Sequence, residues 1–193
     1  MNKRSFLKHG VALAAAACLP LLTTSGPAQA HTPYRQWDIF RKRYLQVLTS
    51  RSDLDGDAIG DDWVALLHDR LPLSRAMVSR ARDMNRVASL LKTDQAKLAV
   101  LSHADARDMF QARPPFKDFR PMPLQVMLDN GSHVLVARDD LPLHHGYAIV
   151  ITLLEEAGAL HLEVPLQGKF GMVVHPGARA AALGEVIEPP TST

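Results

Sequence analysis

The segment YLQVLTSRSDLDGDAIGDDWVALL, residues 44–67, contains an apolar run, an acidic loop and an amphipathic repeat in succession. The apolar run, Tyr44–Thr49, predicts a short buried strand. After the loop, apolar residues recur at the spacing of one helical face. These residues are Ile59, Trp63, Leu66, Leu67 and Leu71. Pro72 is expected to end the helix, so the segment predicts a β-α unit.

The same pattern recurs farther along the chain. Residues 75–80 and 97–102 each predict a strand, and a helical stripe lies between them. The stripe comprises Met84, Val87, Ala88, Leu91 and Gln95. Residues 104–112 predict a further short helix. Alternating strands and helices with short connections are typical of a parallel sheet with right-handed crossovers.

A loop rich in proline, residues 114–123, separates these units from a predicted hairpin. The hairpin consists of strands at 124–128 and 133–138, and Asn130-Gly131 between them is typical of a tight turn. A last amphipathic helix and a short strand at 172–174 are expected after it. The apolar face of that helix would contain Tyr147, Val150, Ile151 and Leu154. The fold predicted is α/β, a three-layer Rossmann-like lobe with a mostly parallel sheet of about five strands.

The first thirty residues have the features of an export signal. The start, MNKRSFLKHG, is basic, residues 11–22 are apolar, and Ala28 and Ala30 form an A-x-A cleavage site. The run KRSFLK is similar to a twin-arginine motif with lysine in place of the first arginine, so Tat and Sec export are both expected routes. We predict a periplasmic protein cleaved after Ala30, with a lipid anchor on Cys18 as the alternative.

Charge and cysteine content restrict the class of protein further. The net charge of the whole chain is +2, and the predicted signal has three basic and no acidic residues, which leaves −1 on the other 163 residues. This balance does not favour nucleic-acid binding. The single cysteine lies in the predicted signal, so no disulfide is expected. After a lead-in at 31–43 we predict a single domain over 44–180 and a disordered tail at 181–193.

Five aspartates within residues 53–62 allow two interpretations. Asp53, Asp55 and Asp57 have the alternate spacing of a calcium loop, and Asp61 would be a further ligand. The sixth and twelfth positions of such a loop, however, lack the required glycine and glutamate. Aspartates also cap helices and suit the positive end of the helix dipole. We predict a helix start here, with a calcium site or a cationic partner patch as alternatives.

The carboxyl ends of parallel strands are where ligands bind in such sheets. Here those ends contain hydroxyl, amide, imidazole and guanidinium groups, which can hydrogen-bond a polar solute. The candidate ligand-binding residues are Thr49, Ser50, Arg51, Arg80, Asn85, Ser102 and His103. No nucleophile-elbow motif is found, so neither catalysis nor a cofactor is expected. The adjacent His144 and His145 are expected to be exposed polar residues.

Three stretches resemble the TAXI-type solute-binding proteins of TRAP transporters. RVASLLKTDQAKLAVLSHADA (86–106) is similar to a helix-then-strand segment of that family, and VLVARDDLPLHHGYAIVITLLEE (134–156) resembles a later strand-then-helix segment. MVVHPGARA (172–180) is similar to a family ending in His-Pro-Gly-Ala. The order of the three stretches is more specific than any one of them.

The chain also differs from that family in two respects. Family members are about twice as long and close two lobes on a ligand, whereas this chain resembles a single lobe of a type 2 periplasmic binding protein. Family members also have a Gly/Thr-rich loop after the first strand, and its N–H groups receive a ligand carboxylate. Here residues 52–57 carry negative charge at that place, which would oppose an anionic ligand.

The resemblance implies a protein that binds a small organic acid or amino acid for uptake or sensing. Its partners would be the solute and TRAP-type membrane permease subunits, and no covalent chemistry is implied. The alternative is a single-lobe remnant that binds a protein partner or forms a homodimer, with calcium binding through Asp53–Asp62 as a variant of it.

Overall fold

The computed structural model of the chain describes residues 44–119 and 122–187. Its strands are β1 (Gln46–Ser50), β2 (Met77–Ala81), β3 (Leu98–Ser102), β4 (Leu124–Asp129) and β5 (His133–Arg138). Its α-helices are α1 (Leu54–Arg70), α2 (Met84–Lys92), α3 (His103–Phe110), α4 (Leu143–Leu154), α5 (Ala157–Leu160) and α6 (Pro176–Ala182). The predicted β-α-β-α-β order of the first half is confirmed. The predicted signal with Ala28, Ala30 and Cys18, the lead-in at 31–43 and residues 188–193 lie outside the described residues.

The five strands form one mixed sheet in the order β2-β1-β3-β5-β4. β1 pairs in parallel with both β2 and β3, whereas β5 is antiparallel to β3 and to β4. The prediction of a mostly parallel sheet therefore holds for one end only. The reason is the hairpin, which was predicted correctly. Because β5 lies between β3 and β4, its reversed direction makes both of these pairs antiparallel.

Helices cover both faces of this sheet. From β1 to β2 the chain moves in one direction along the sheet, and from β2 to β3 it moves in the other. Since crossovers of this kind are right-handed, α1 and α2 lie on opposite faces. α4 packs against α1 and α6, so these three helices share a face. The central strands between the two helical layers are buried, and residues Leu98 to Leu101 of β3 have no exposed surface, whereas most of the edge strand β2 is partly or fully exposed.

The part of the chain that follows β5 differs from its prediction. The buried face of α4 is rotated from the predicted stripe, and it includes His145, which is only 3% exposed and was predicted to be exposed. Two further helices, α5 and α6, were not predicted. The α6 helix continues to Ala182, so the predicted disordered tail does not begin at residue 181. These elements were not predicted because they are short and their apolar residues show no clear periodicity.

The outer edge of β4 is covered by two short segments of this last part. Asp129 exchanges two backbone hydrogen bonds of 2.9 Å with Glu163. At the other end of the strand, Val126 pairs in parallel with Val174, where a short strand was predicted over 172–174. These pairings hold the loop between residues 163 and 174 beside the carboxyl edge of the sheet. No helix among residues 44–119 and 122–187 is long and apolar enough to cross a membrane.

Candidate functional site

The strand order of the sheet reverses between β1 and β3. Chains that leave two neighbouring parallel strands in opposite directions open a crevice at their carboxyl ends, where ligands of α/β proteins bind. Ser50 ends β1 and Ser102 ends β3 at this crevice. Because β4 is parallel to these strands and β5 is antiparallel to them, the end of β4 at Asp129 and the start of β5 at His133 lie at the same edge.

Asp129 is the centre of a polar cluster at this edge. Its side chain has no exposed surface, so its charge must be compensated by neighbouring groups. One carboxylate oxygen accepts hydrogen bonds of 2.8 Å from the N–H of Gly131 and lies 2.8 Å from Nε2 of His103. The other oxygen forms an ion pair with the ammonium of Lys169.

His103 and Lys169 connect this buried carboxylate to solvent, since their side chains are 29% and 28% exposed. The ring of Phe170 lies against both: its centroid is 5.3 Å from that of His103, edge to face, and 5.6 Å from the ammonium of Lys169. Burial, followed by the positive charge of Lys169 and the neighbouring His133, lowers the pKa of His103. The neutral form of the imidazole is therefore favoured.

A second acid–imidazole pair crosses the crevice from α1 to β5. Nε2 of His133 lies 3.2 Å from a carboxylate oxygen of Asp53, and its Nδ1 lies 2.9 Å from the hydroxyl of Ser132. Asp53 is also the N-cap of α1, because its side chain accepts a hydrogen bond of 3.0 Å from the N–H of Gly56. We call Asp53, His103, Asp129, His133 and Lys169 the switch-point cluster.

Several predicted ligand-binding residues form an internal network beside this cluster. Thr49 has no exposed surface and donates a 2.6 Å hydrogen bond to Asp57. Arg80 donates to Asp57 at 2.9 Å and to Asp61 at 2.5 Å. Partial burial raises the pKa of Asp57, but the hydrogen bonds from Thr49 and Arg80 outweigh it and hold this pKa below its ordinary value. Arg80 is thus an anchor for α1.

The remaining predicted residues are distributed around the edge. Ser50 is buried and lies 2.8 Å from the hydroxyl of Ser52. Ser102 caps α3, accepting a hydrogen bond of 3.1 Å from the N–H of Asp105. Arg51 follows β1 and Asn85 lies in the first turn of α2, and both are exposed. Of the seven predicted residues, only His103 belongs to the switch-point cluster.

The aspartate-rich segment begins a helix, as predicted. Asp53 is the cap, Asp55 is exposed, and Asp57 and Asp61 bind Arg80. Of the four carboxylates proposed as alternative calcium ligands, two therefore share Arg80, one caps the helix and one is exposed. Within the part of the chain that the structure describes, no group of three or more His, Cys, Asp or Glu side chains is placed to hold a metal ion.

The sequence reasoning missed Asp129, His133 and Lys169. A signal existed for the first two, because a tight hairpin turn brings the end of one strand next to the start of the other. The side chains at those two positions, a carboxylate and an imidazole, were thus predictable neighbours. Lys169 lies in a segment without periodicity, 40 residues from its partner Asp129.

Comparison of the chain with protein-family models, with curated protein sequences and with solved structures finds no match. The family and function inferred from the sequence therefore stay predictions, and the site must be interpreted from its own geometry.

Proposed function

We propose that the protein is a binding protein for a small organic acid, which it holds at the switch-point crevice through His103 and Lys169. The observation that carries this proposal is the pair of partly exposed nitrogen groups fixed on one buried carboxylate. Asp129 prevents both side chains from moving freely, so little conformational entropy is lost when a ligand binds them. The free N–H groups of the Lys169 ammonium suit a ligand carboxylate, and His103 becomes a second donor when it takes up a proton beside the bound carboxylate.

The position of these groups supports the same proposal. The crevice is formed where the strand order reverses, which is the usual ligand site of an open α/β sheet. Ser102 is adjacent to His103 in the sequence, and Ser50 ends the neighbouring strand, so hydroxyl groups lie at both sides. Phe170 supplies apolar surface for the carbon skeleton of a ligand.

A wider proposal rests on the sequence resemblance. In this account the protein is exported to the periplasm, belongs to the TAXI type of solute-binding protein, and delivers its ligand to TRAP-type permease subunits. The five-stranded sheet with helices on both faces is compatible with one lobe of such a protein. The exposed apolar residues Tyr44, Leu73 and Met77 lie at the opposite, amino edge of the sheet. A permease subunit that docked on these residues would leave the crevice open to solute.

Calorimetric titration of the full chain with a panel of mono- and dicarboxylic acids and amino acids tests the proposal. At least one acid should bind and should stabilise the fold, by about 2.7 kcal/mol at a hundredfold excess over its dissociation constant. The variant His103→Gln should bind it at least tenfold more weakly, whereas His161→Gln, at an exposed histidine in a turn, should bind it unchanged. Absence of binding across the panel, or equal binding by His103→Gln, would refute the proposal.

A further inference from the structure

A pocket of about 280 Å³ opens between the loop 167–174 and Arg179 of α6. The loop is folded into a tight turn, in which Lys169 and Met172 exchange backbone hydrogen bonds of 3.1 and 2.9 Å. Gly168 has φ of 78°, and a Cβ there would lie 2.4 Å from the carbonyl oxygen of Met172. Only glycine fits this position, so the sequence itself fixes the bend that forms the pocket wall.

The charged groups that line this pocket are all positive. The charged lining residues are Lys169 and Arg179, and Gln167 is the other lining residue with a polar side chain. Arg179 is held at the rim by a 2.9 Å hydrogen bond to the carbonyl of Leu166. A guanidinium has five N–H donors, so this bond uses a small part of its capacity. An anion that enters the pocket meets two cations and no lining carboxylate.

The size and the donors of the pocket indicate the kind of anion. Its volume is just below the range of about 300–1,000 Å³ that is usual for pockets of drug-sized ligands, so a small group is favoured. The planar fork of an arginine matches two oxygens of a phosphate, and a lysine binds a third oxygen as a point charge. The ammonium of Lys169 has three donors, so it can contact Asp129 and an anion in the pocket together.

We propose that the pocket between the loop 167–174 and α6 is a phosphate-binding site, in which Arg179 and Lys169 hold the oxygens of a phosphate group. This site is distinct from the organic-acid site at His103 and shares Lys169 and Phe170 with it. The phosphate can be inorganic phosphate or the end of a phosphate monoester, because both offer the same doubly charged group with three terminal oxygens.

Phosphorus NMR and thermal unfolding of the full chain test this site with inorganic phosphate and glycerol phosphate, with sodium chloride of equal ionic strength as the reference. We expect one of the two phosphates to broaden its resonance and to raise the unfolding midpoint above the chloride reference. Binding by both, or by one alone, supports the site and identifies the source of the phosphate group.

Variants of exposed arginines make the test specific. Arg179→Gln should weaken phosphate binding at least tenfold, while Arg113→Gln, which removes an arginine of the same charge from the α3–β4 loop, should leave it unchanged. The organic-acid titration of Arg179→Gln should match that of the native chain, which separates failure of this site from failure of the organic-acid proposal. Stabilisation by chloride equal to that by both phosphates, or phosphate binding that persists in Arg179→Gln, would overturn the inference.

Discussion

Replacement of Gly146 by alanine is expected to destabilise the protein, although alanine is the better helix former. Gly146 lies in α4 where it crosses α6, and a Cβ there would lie 2.2 Å from Cε1 and 2.3 Å from Nδ1 of His175. The ring cannot retreat easily, because it is 1% exposed, Nε2 donates to the carbonyl of Leu141 at 3.0 Å, and Nδ1 accepts from the N–H of Gly177 at 3.1 Å.

The magnitude follows from three contributions. Overpacking of a core costs about 1–3 kcal/mol. Each hydrogen bond lost when the ring shifts costs about 1 kcal/mol. The higher helix propensity of alanine returns about 1 kcal/mol. The sum is a loss of about 3 kcal/mol, which for a chain of this size lowers the unfolding midpoint by roughly 6–12 °C.

Thermal and urea unfolding measure this loss, and two comparisons make the result specific. Gly158→Ala, in α5, places its Cβ where no atom lies within 4 Å, so it should be neutral or slightly stabilising. In a His175→Ala background the clash is absent, so Gly146→Ala should then cost nothing. An equal loss in both backgrounds, or a stabilised Gly146→Ala single variant, would refute the reasoning.

Three further predictions concern titratable groups. Burial lowers the pKa of His175, so the unfolded state takes up its proton at a higher pH than the folded state does, and the free energy of unfolding should fall as the pH drops below about 6.5. Urea unfolding of His175→Gln between pH 7 and 5 should show a weaker dependence of this free energy on pH. The same pH dependence in the variant and the native chain would contradict this prediction. Asp53→Ala should lose about 1–2 kcal/mol because α1 loses its cap, while Asp53→Ser should recover most of it; equal losses would argue against capping. Lys169→Met should raise the pKa of His103 in an NMR titration, because a positive neighbour that lowers this pKa is removed; a pKa that stays the same or falls would disprove the contact.

The β-α units could be predicted from the sequence because their signals are local. The strand that ends at Ser50 contains the buried apolar pair Val47 and Leu48, α1 follows a capping aspartate, and α2 shows its apolar face at helical spacing. The Asn130-Gly131 turn predicted the hairpin for the same reason. The position of that hairpin next to β3, which makes the sheet mixed, depends on contacts between distant residues and has no local signal.

The candidate site was predictable only in part. The rule that ligands bind at carboxyl ends directed attention to Ser50, Ser102 and His103, which lie at the edge that contains the switch-point cluster. The same rule suggested Arg80 as a ligand clamp, but its partners Asp57 and Asp61, 23 and 19 residues away, use its guanidinium to hold α1. Packing decides that Lys169 faces the crevice and that Arg80 holds α1. Residue type and spacing do not encode this difference.

The most direct test of the central claim is to follow the imidazole resonances of His103 by NMR while the full chain is titrated with the organic-acid panel. The account predicts that at least one acid shifts these resonances and raises the pKa of His103, because a carboxylate beside the ring favours its charged form. The exposed His161 should not respond. If no acid changes the His103 resonances, or if His161 responds equally, the switch-point crevice is not an organic-acid site.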